Sequence, residues 1–83
     1  MSSVKNLVQN LSMRGISPLK VVQGNSMSPP SVWITESIYI QVHNGDVVIC
    51  RDRPNDLSMY PTSSKIDDIL ITLKKAIKDG RPS

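Results

Sequence analysis

Apolar positions fall into two kinds of pattern along this chain. Val4, Leu7, Val8 and Leu11 recur at i, i+3, i+4 and i+7, which predicts a helix over residues 3–14 with one apolar stripe. Ser3 offers an N-cap, Gly15 a C-terminal stop, and Pro18 prevents resumption. Leu19–Gln23 reads as a short strand. Residues 24–30, Gly-Asn-Ser-Met-Ser-Pro-Pro, have no periodicity. Their two prolines force extended backbone and remove two donors, so a surface loop is expected.

Between Val32 and Val42 the pattern alternates. Val32, Ile34, Ile38, Ile40 and Val42 share one parity, while Trp33, Thr35, Ser37, Tyr39 and Gln41 share the other. One strand is expected here, bent or bulged near Glu36-Ser37. Asn44-Gly45 is a strong signal for a two-residue hairpin. Asp46–Asp52 then returns with His43 facing Asp46, Val42 facing Val47, Ile40 facing Ile49 and Tyr39 facing Cys50. Pro54–Ser64 holds two prolines, Asn, Asp and three serines, and reads as a loop. In residues 65–79, Ile66, Ile69, Leu70, Leu73 and Ile77 follow helical spacing, with Ser64 as N-cap, Asp67 at the capping-box position, and Gly80 and Pro82 as stops. A strand over Asp68–Leu73 competes, since Ile69, Ile71 and Leu73 also alternate; the caps favour the helix.

These elements imply an α+β fold in a single domain spanning residues 1–83: an N-terminal helix, a small antiparallel three-stranded sheet, and a C-terminal helix on the sheet's aliphatic face. Two short helices cover one face of a sheet and hardly a second. The face carrying Trp33, Tyr39 and Gln41 is therefore the expected contact surface.

Composition supports the sheet. The 83 residues include no Phe, one Trp, two Tyr and one Ala, but nine Ile and eight Val. A core filled by β-branched side chains prefers strands. One Cys and one His leave no basis for an internal disulfide, a multi-thiolate metal site or a histidine cluster, so no metal or cofactor is expected. No apolar run approaches the roughly 18 residues of a membrane span. The N-terminus lacks the basic-then-apolar pattern of a signal peptide, so a cytoplasmic protein away from membranes is expected.

Candidate chemistry centres on Val22-Gln23-Gly24-Asn25-Ser26-Met27-Ser28-Pro29, with echoes at Asn44-Gly45-Asp46-Val47-Val48-Ile49 and Ile69-Leu70-Ile71-Thr72-Leu73-Lys74-Lys75. These three islands resemble the Ser–Lys peptidases: the LexA/UmuD-type autoproteases and the signal peptidases. The resemblance implies Ser26 as nucleophile and Lys74 as general base, a desolvated lysine losing its proton beside the serine. Ser31-Val32-Trp33-Ile34 stands where that family has a Gly-Asp pair, and Lys65 is nearer the expected distance from Ser26 than Lys74 is.

The net charge is +3. Lys74, Lys75, Lys78 and Arg81 cluster at one end of the last helix, with Asp67 and Asp68 at the other. That arrangement compensates the helix macrodipole, worth about 0.3–1 kcal/mol per charge. As phosphate contacts the four cations imply a salt slope of only about −3 to −3.6, hence weak, unspecific nucleic-acid binding. Arg51 and Arg53 end the hairpin strand among Asp52 and Asp56, and read as a solvated strand end open to a partner. Cys50 reads as a small buried hydrophobe, and His43 with Asp46 as a cross-strand polar pair.

The order of elements also resembles the double-stranded RNA-binding layout that Hic-type toxins share. Asp67-Asp68 stands where RNA-binding domains carry a basic run. The functional expectation is a small non-catalytic binding or regulatory protein acting on a protein partner, through Trp33, Tyr39, Gln41, Arg51 and Arg53. The alternatives are a truncated or degenerate Ser–Lys peptidase domain using Ser26 and Lys74, and an RNA-binding module. Unpaired sheet edges offer a route to a homo-oligomer.

Overall fold

The computed structural model describes residues 4–43, 46–53 and 56–79, and for Arg53 and Asp56 the backbone alone. Its elements run α1 (Val4–Met13), β1 (Lys20–Val22), β2 (Ser31–Trp33), β3 (Ile38–His43), β4 (Asp46–Arg53), β5 (Asp56–Thr62) and α2 (Ile66–Asp79). The five strands form one antiparallel sheet in the order β1-β2-β3-β4-β5. Both helices pack on the same face.

The expected three-stranded sheet is therefore corrected to five strands, for two reasons. Val32–Val42 is not one bent strand. Residues 34–37 reverse the chain, and Val32 pairs with Ile40 across a hairpin, as Trp33 does with Tyr39. The Thr35 hydroxyl accepts from the Ser37 and Ile38 amides at 3.2 and 3.1 Å, and the Ile34 amide donates to the Ile38 carbonyl at 2.9 Å. The second correction is β5, which lies inside the segment expected to be loop. Its Pro61 is accommodated because β5 is an edge strand, where a missing N–H can face away from the ladder.

The β3–β4 pairing follows the expected register throughout: His43–Asp46, Val42–Val47, Ile40–Ile49 and Tyr39–Cys50. The Asn44-Gly45 turn itself lies outside the described residues.

The helices form where their stripes predict. Leu7 and Leu11 of α1 and Ile69, Leu73 and Ala76 of α2 are buried against Val32, Ile38, Ile40, Val42, Val47 and Ile49. Helix α1 ends in a Schellman motif: the Ile16 amide donates to the Leu11 carbonyl and the Gly15 amide to the Ser12 carbonyl, with Gly15 at φ +81°. At the start of α2 the hydroxyl engaged is that of Ser63 rather than the expected Ser64. It accepts from the Lys65 amide and donates to the Asp68 carboxylate.

Candidate binding face

In an antiparallel pair, directly opposed residues share a face. One transverse row on the side away from the helices is therefore Lys20–Trp33–Tyr39–Cys50–Met59, drawn from all five strands. The neighbouring row is Val22–Ser31–Gln41–Val48–Pro61. Trp33 and Tyr39 stack with ring centroids 4.4 Å apart, and Lys20 Nζ lies 4.8 Å from the Trp33 centroid. Their cross-strand opposition fixes this geometry. Leu57 and Met59 of β5 are 61% and 56% exposed beside them. Among the described residues no helix covers these side chains.

Three of the expected contact residues, Trp33, Tyr39 and Gln41, are brought together on this face. Arg51 is not. It opposes Ile38 and Ser58 on the helix-covered side, is buried, and donates from Nη2 to Ser58 Oγ at 3.0 Å. The expectation that Arg51 forms a solvated strand end is therefore overturned, because β5 closes over that position. Arg53 ends β4, backbone-paired with Asp56. Lys20, Met59 and Leu57 were not singled out from the sequence. Finding Lys20 needs the β1–β2 pairing, and the other two need a strand that composition disguises. His43 Nε2 lies 3.2 Å from Gln41 Oε1, its neighbour along the same strand.

Cys50 is 1% exposed although its face carries no helix. Burial pushes its thiol pKa up, with the nearby Asp52 carboxylate adding to the effect, and burial likewise raises Tyr39. Both groups are neutral in the fold and ionise more readily when unfolded. Their stabilisation is full below the unfolded pKa values, about 8.5 for Cys and 10 for Tyr, and is lost as pH rises through the folded ones. Stability is expected to be level between pH 7 and 8 and to fall above about pH 8.5. Cys50→Ala flattens the first part of that fall. Urea midpoints measured across pH 7–11 check this, and identical profiles for both proteins would refute it.

Ser26 lies in the loop joining β1 to β2. Gly24 approaches Pro29 and Pro30 closely at the loop base, and the Asn25 amide donates to the Ser28 carbonyl at 2.9 Å. Asn25 Oδ1 accepts from the Met27 and Ser28 amides at 2.7 and 2.9 Å. The tip is thus held while Met27 projects into solvent, 89% exposed. Ser26 borders a groove of about 1130 Å³ whose lining includes Lys5 and His43, with Val4, Val8, Val21 and Val42 as its apolar part. Lys65, Lys74 and Lys75 are exposed and do not line it. The two amides that follow Ser26, natural donors to an oxyanion, are occupied by Asn25. Ser26→Ala is expected to leave the fold and any activity intact. A peptide-cleavage or self-cleavage assay checks it, and cleavage by the parent chain that this change abolishes would overturn the expectation.

Charge is divided between the two layers. On and beside the helices, Lys5, Arg14, Lys65, Lys74, Lys75 and Lys78 outnumber Asp67, Asp68 and Asp79. In the strands and their connections, Lys20, Arg51 and Arg53 are balanced by Glu36, Asp46, Asp52 and Asp56. Lys78 alone among the cations lies in the last turn of α2, with Asp67 and Asp68 in its first turn.

Among the described residues no group of three or more His, Cys, Asp or Glu is placed to hold a metal, and no helix is long and apolar enough to cross a membrane. The described residues form two layers, helices on one face of an antiparallel sheet, and leave the other sheet face uncovered. Comparison with protein-family models, with characterised proteins and with solved structures finds no match to this chain.

Proposed function

We propose that this chain is a non-catalytic binding protein that acts on a protein partner through the uncovered face of its sheet. The observation that carries the reading is the character of that face. It presents a stacked Trp33–Tyr39 pair and the exposed Leu57 and Met59, with Lys20 beside the aromatics and Asp52 opposite Leu57. Aromatic and methionine side chains with one cation and one anion among them have the composition of an interface centre. A nucleic-acid surface needs several cations per site, and here the cations gather on the opposite, helical layer.

The test is affinity capture from lysates with and without nuclease, comparing the parent chain with Met59→Asp and with Lys75→Glu on the helical layer. Protein retained by the parent and by Lys75→Glu, resistant to nuclease and lost from Met59→Asp, is the expected result. Retention that nuclease abolishes, or that Met59→Asp leaves intact, would remove the reading.

A further inference from the structure

We infer that the occupant of the uncovered face is a second copy of this chain, the two sheets packing face to face about a two-fold axis. The inference rests on that face being the contact surface and adds what covers it. Charge is the first argument. The positive layer of each copy lies on the far side of its sheet, and the molecule is 21 Å across its shortest dimension. Facing sheets pack about 10 Å apart, which leaves the two helical layers roughly 30 Å from each other, several Debye lengths at physiological salt. Around the aromatic and methionine side chains the faces that meet each carry one cation, Lys20, and one anion, Asp52, so their net charge there is near zero and self-association brings little like-charge penalty to the contact. Any other way of pairing two copies that used the helices would bring Lys74, Lys75 and Lys78 against themselves.

Area is the second argument. Five strands spaced about 4.8 Å apart, with six to eight residues in the central pair, present roughly 500 Å² per copy. A pair buries on the order of 1,000 Å², the lower limit for a specific interface. That magnitude is the size of weak, transient contacts and points to a reversible dimer rather than a permanent one. The edges are poorer routes: β1 has only three residues, and β5 carries Pro61.

The chain has a single tryptophan and it lies on this face, so one probe reads the contact directly. Sedimentation equilibrium from about 1 µM to 1 mM is expected to show the mass rising from 9.2 kDa toward twice that value, with acrylamide quenching of Trp33 falling over the same range. Met59→Asp and Leu57→Asp, both at exposed positions, are expected to raise the dissociation constant at least tenfold with unchanged circular dichroism, and Ile71→Asp on α2 to leave it unchanged. A monomer mass at every concentration overturns the inference, as does a dimer that both face variants leave intact. Quenching protection of a monomeric chain by single-stranded RNA also overturns it and assigns the face to that ligand. The lysate capture is decided separately, so a monomer that still loses its partner in Met59→Asp ends the dimer while the binding face stands.

Discussion

Ile40→Ala is expected to lower the melting temperature by roughly 8–40 °C. Ile40 is fully buried on the central strand, paired with the equally buried Ile49 and opposed to Val32 on its other side. Truncating a buried isoleucine to alanine costs about 2–5 kcal/mol, because the lost transfer energy is joined by that of the cavity left behind. The site cannot collapse easily, since its neighbours are held by ladders on both sides. A chain of 83 residues has a total stability of roughly 4–12 kcal/mol, so this one change removes a substantial share of it. At about 4–8 °C per kcal/mol the fall in melting temperature follows. Ile71→Ala is the control: Ile71 is 67% exposed on α2, and the change is worth less than about 0.5 kcal/mol. Thermal and urea denaturation of both variants decide the matter. Equal effects at the two positions would place the core elsewhere.

Gly24→Ala has the second largest expected effect, through space rather than hydrophobicity. A Cβ on Gly24 would lie 2.6 Å from Pro30 Cδ and 2.6 Å from Pro30 N, with the Pro29 carbonyl carbon at 3.1 Å. The obstacles are backbone and a closed ring, which no rotamer change removes. The loop base must widen, and Pro30 is tied to the sheet because its carbonyl accepts from the Val42 amide at 3.2 Å. Overpacking of this kind costs about 1–3 kcal/mol, a fall of roughly 5–20 °C for a domain of this size. Asn25→Ala, which releases the Met27 and Ser28 amides to solvent, is expected to cost under about 1.5 kcal/mol. Calorimetry compares the two. A Gly24→Ala chain melting within 2 °C of the parent would mean the loop base is not held as described.

The fate of the two hairpins shows what alternation can and cannot reveal. Across Asn44-Gly45 the paired numbers sum to an odd value, so inward positions switch parity, and the switch from Val42 to Val47 and Ile49 is visible in the sequence. Across residues 34–37 the pairs sum to an even value, as in Val32 with Ile40. Inward positions keep their parity, and a chain reversal leaves the same trace as a straight strand. The signal that distinguishes them is Thr35, whose hydroxyl binds two amides ahead of it, a local contact that alternation does not register.

The site was legible to the same degree. Trp33, Tyr39 and Gln41 follow from alternation alone, whichever way the chain turns. Arg51 does not, although its pairing with Ile38 already places it on the aliphatic side. A long cation is tolerated there because Ser58 stands opposite on β5 and accepts from it. Strand β5 was hidden by turn-forming residues. Its larger apolar side chains, Leu57 and Met59, face outward, so burial could not mark it as a strand. One unseen strand thus accounts for the serine that receives the misread arginine and for Leu57 and Met59 on the binding face.

The order β1-β2-β3-β4-β5 means that every strand hydrogen-bonds to its neighbour in sequence. Each pairing closes only a short span of chain, with two residues between β3 and β4 and two between β4 and β5. For a β-rich chain the relative contact order is therefore low, and the entropic toll of loop closure is met in small instalments. Folding on the millisecond scale or faster follows, faster than β-sandwiches of similar length, where distant strands must meet. The β3–β4 ribbon, with a two-residue connection and the most buried aliphatic pairs, is the natural nucleus onto which the remaining strands add outward and the helices condense.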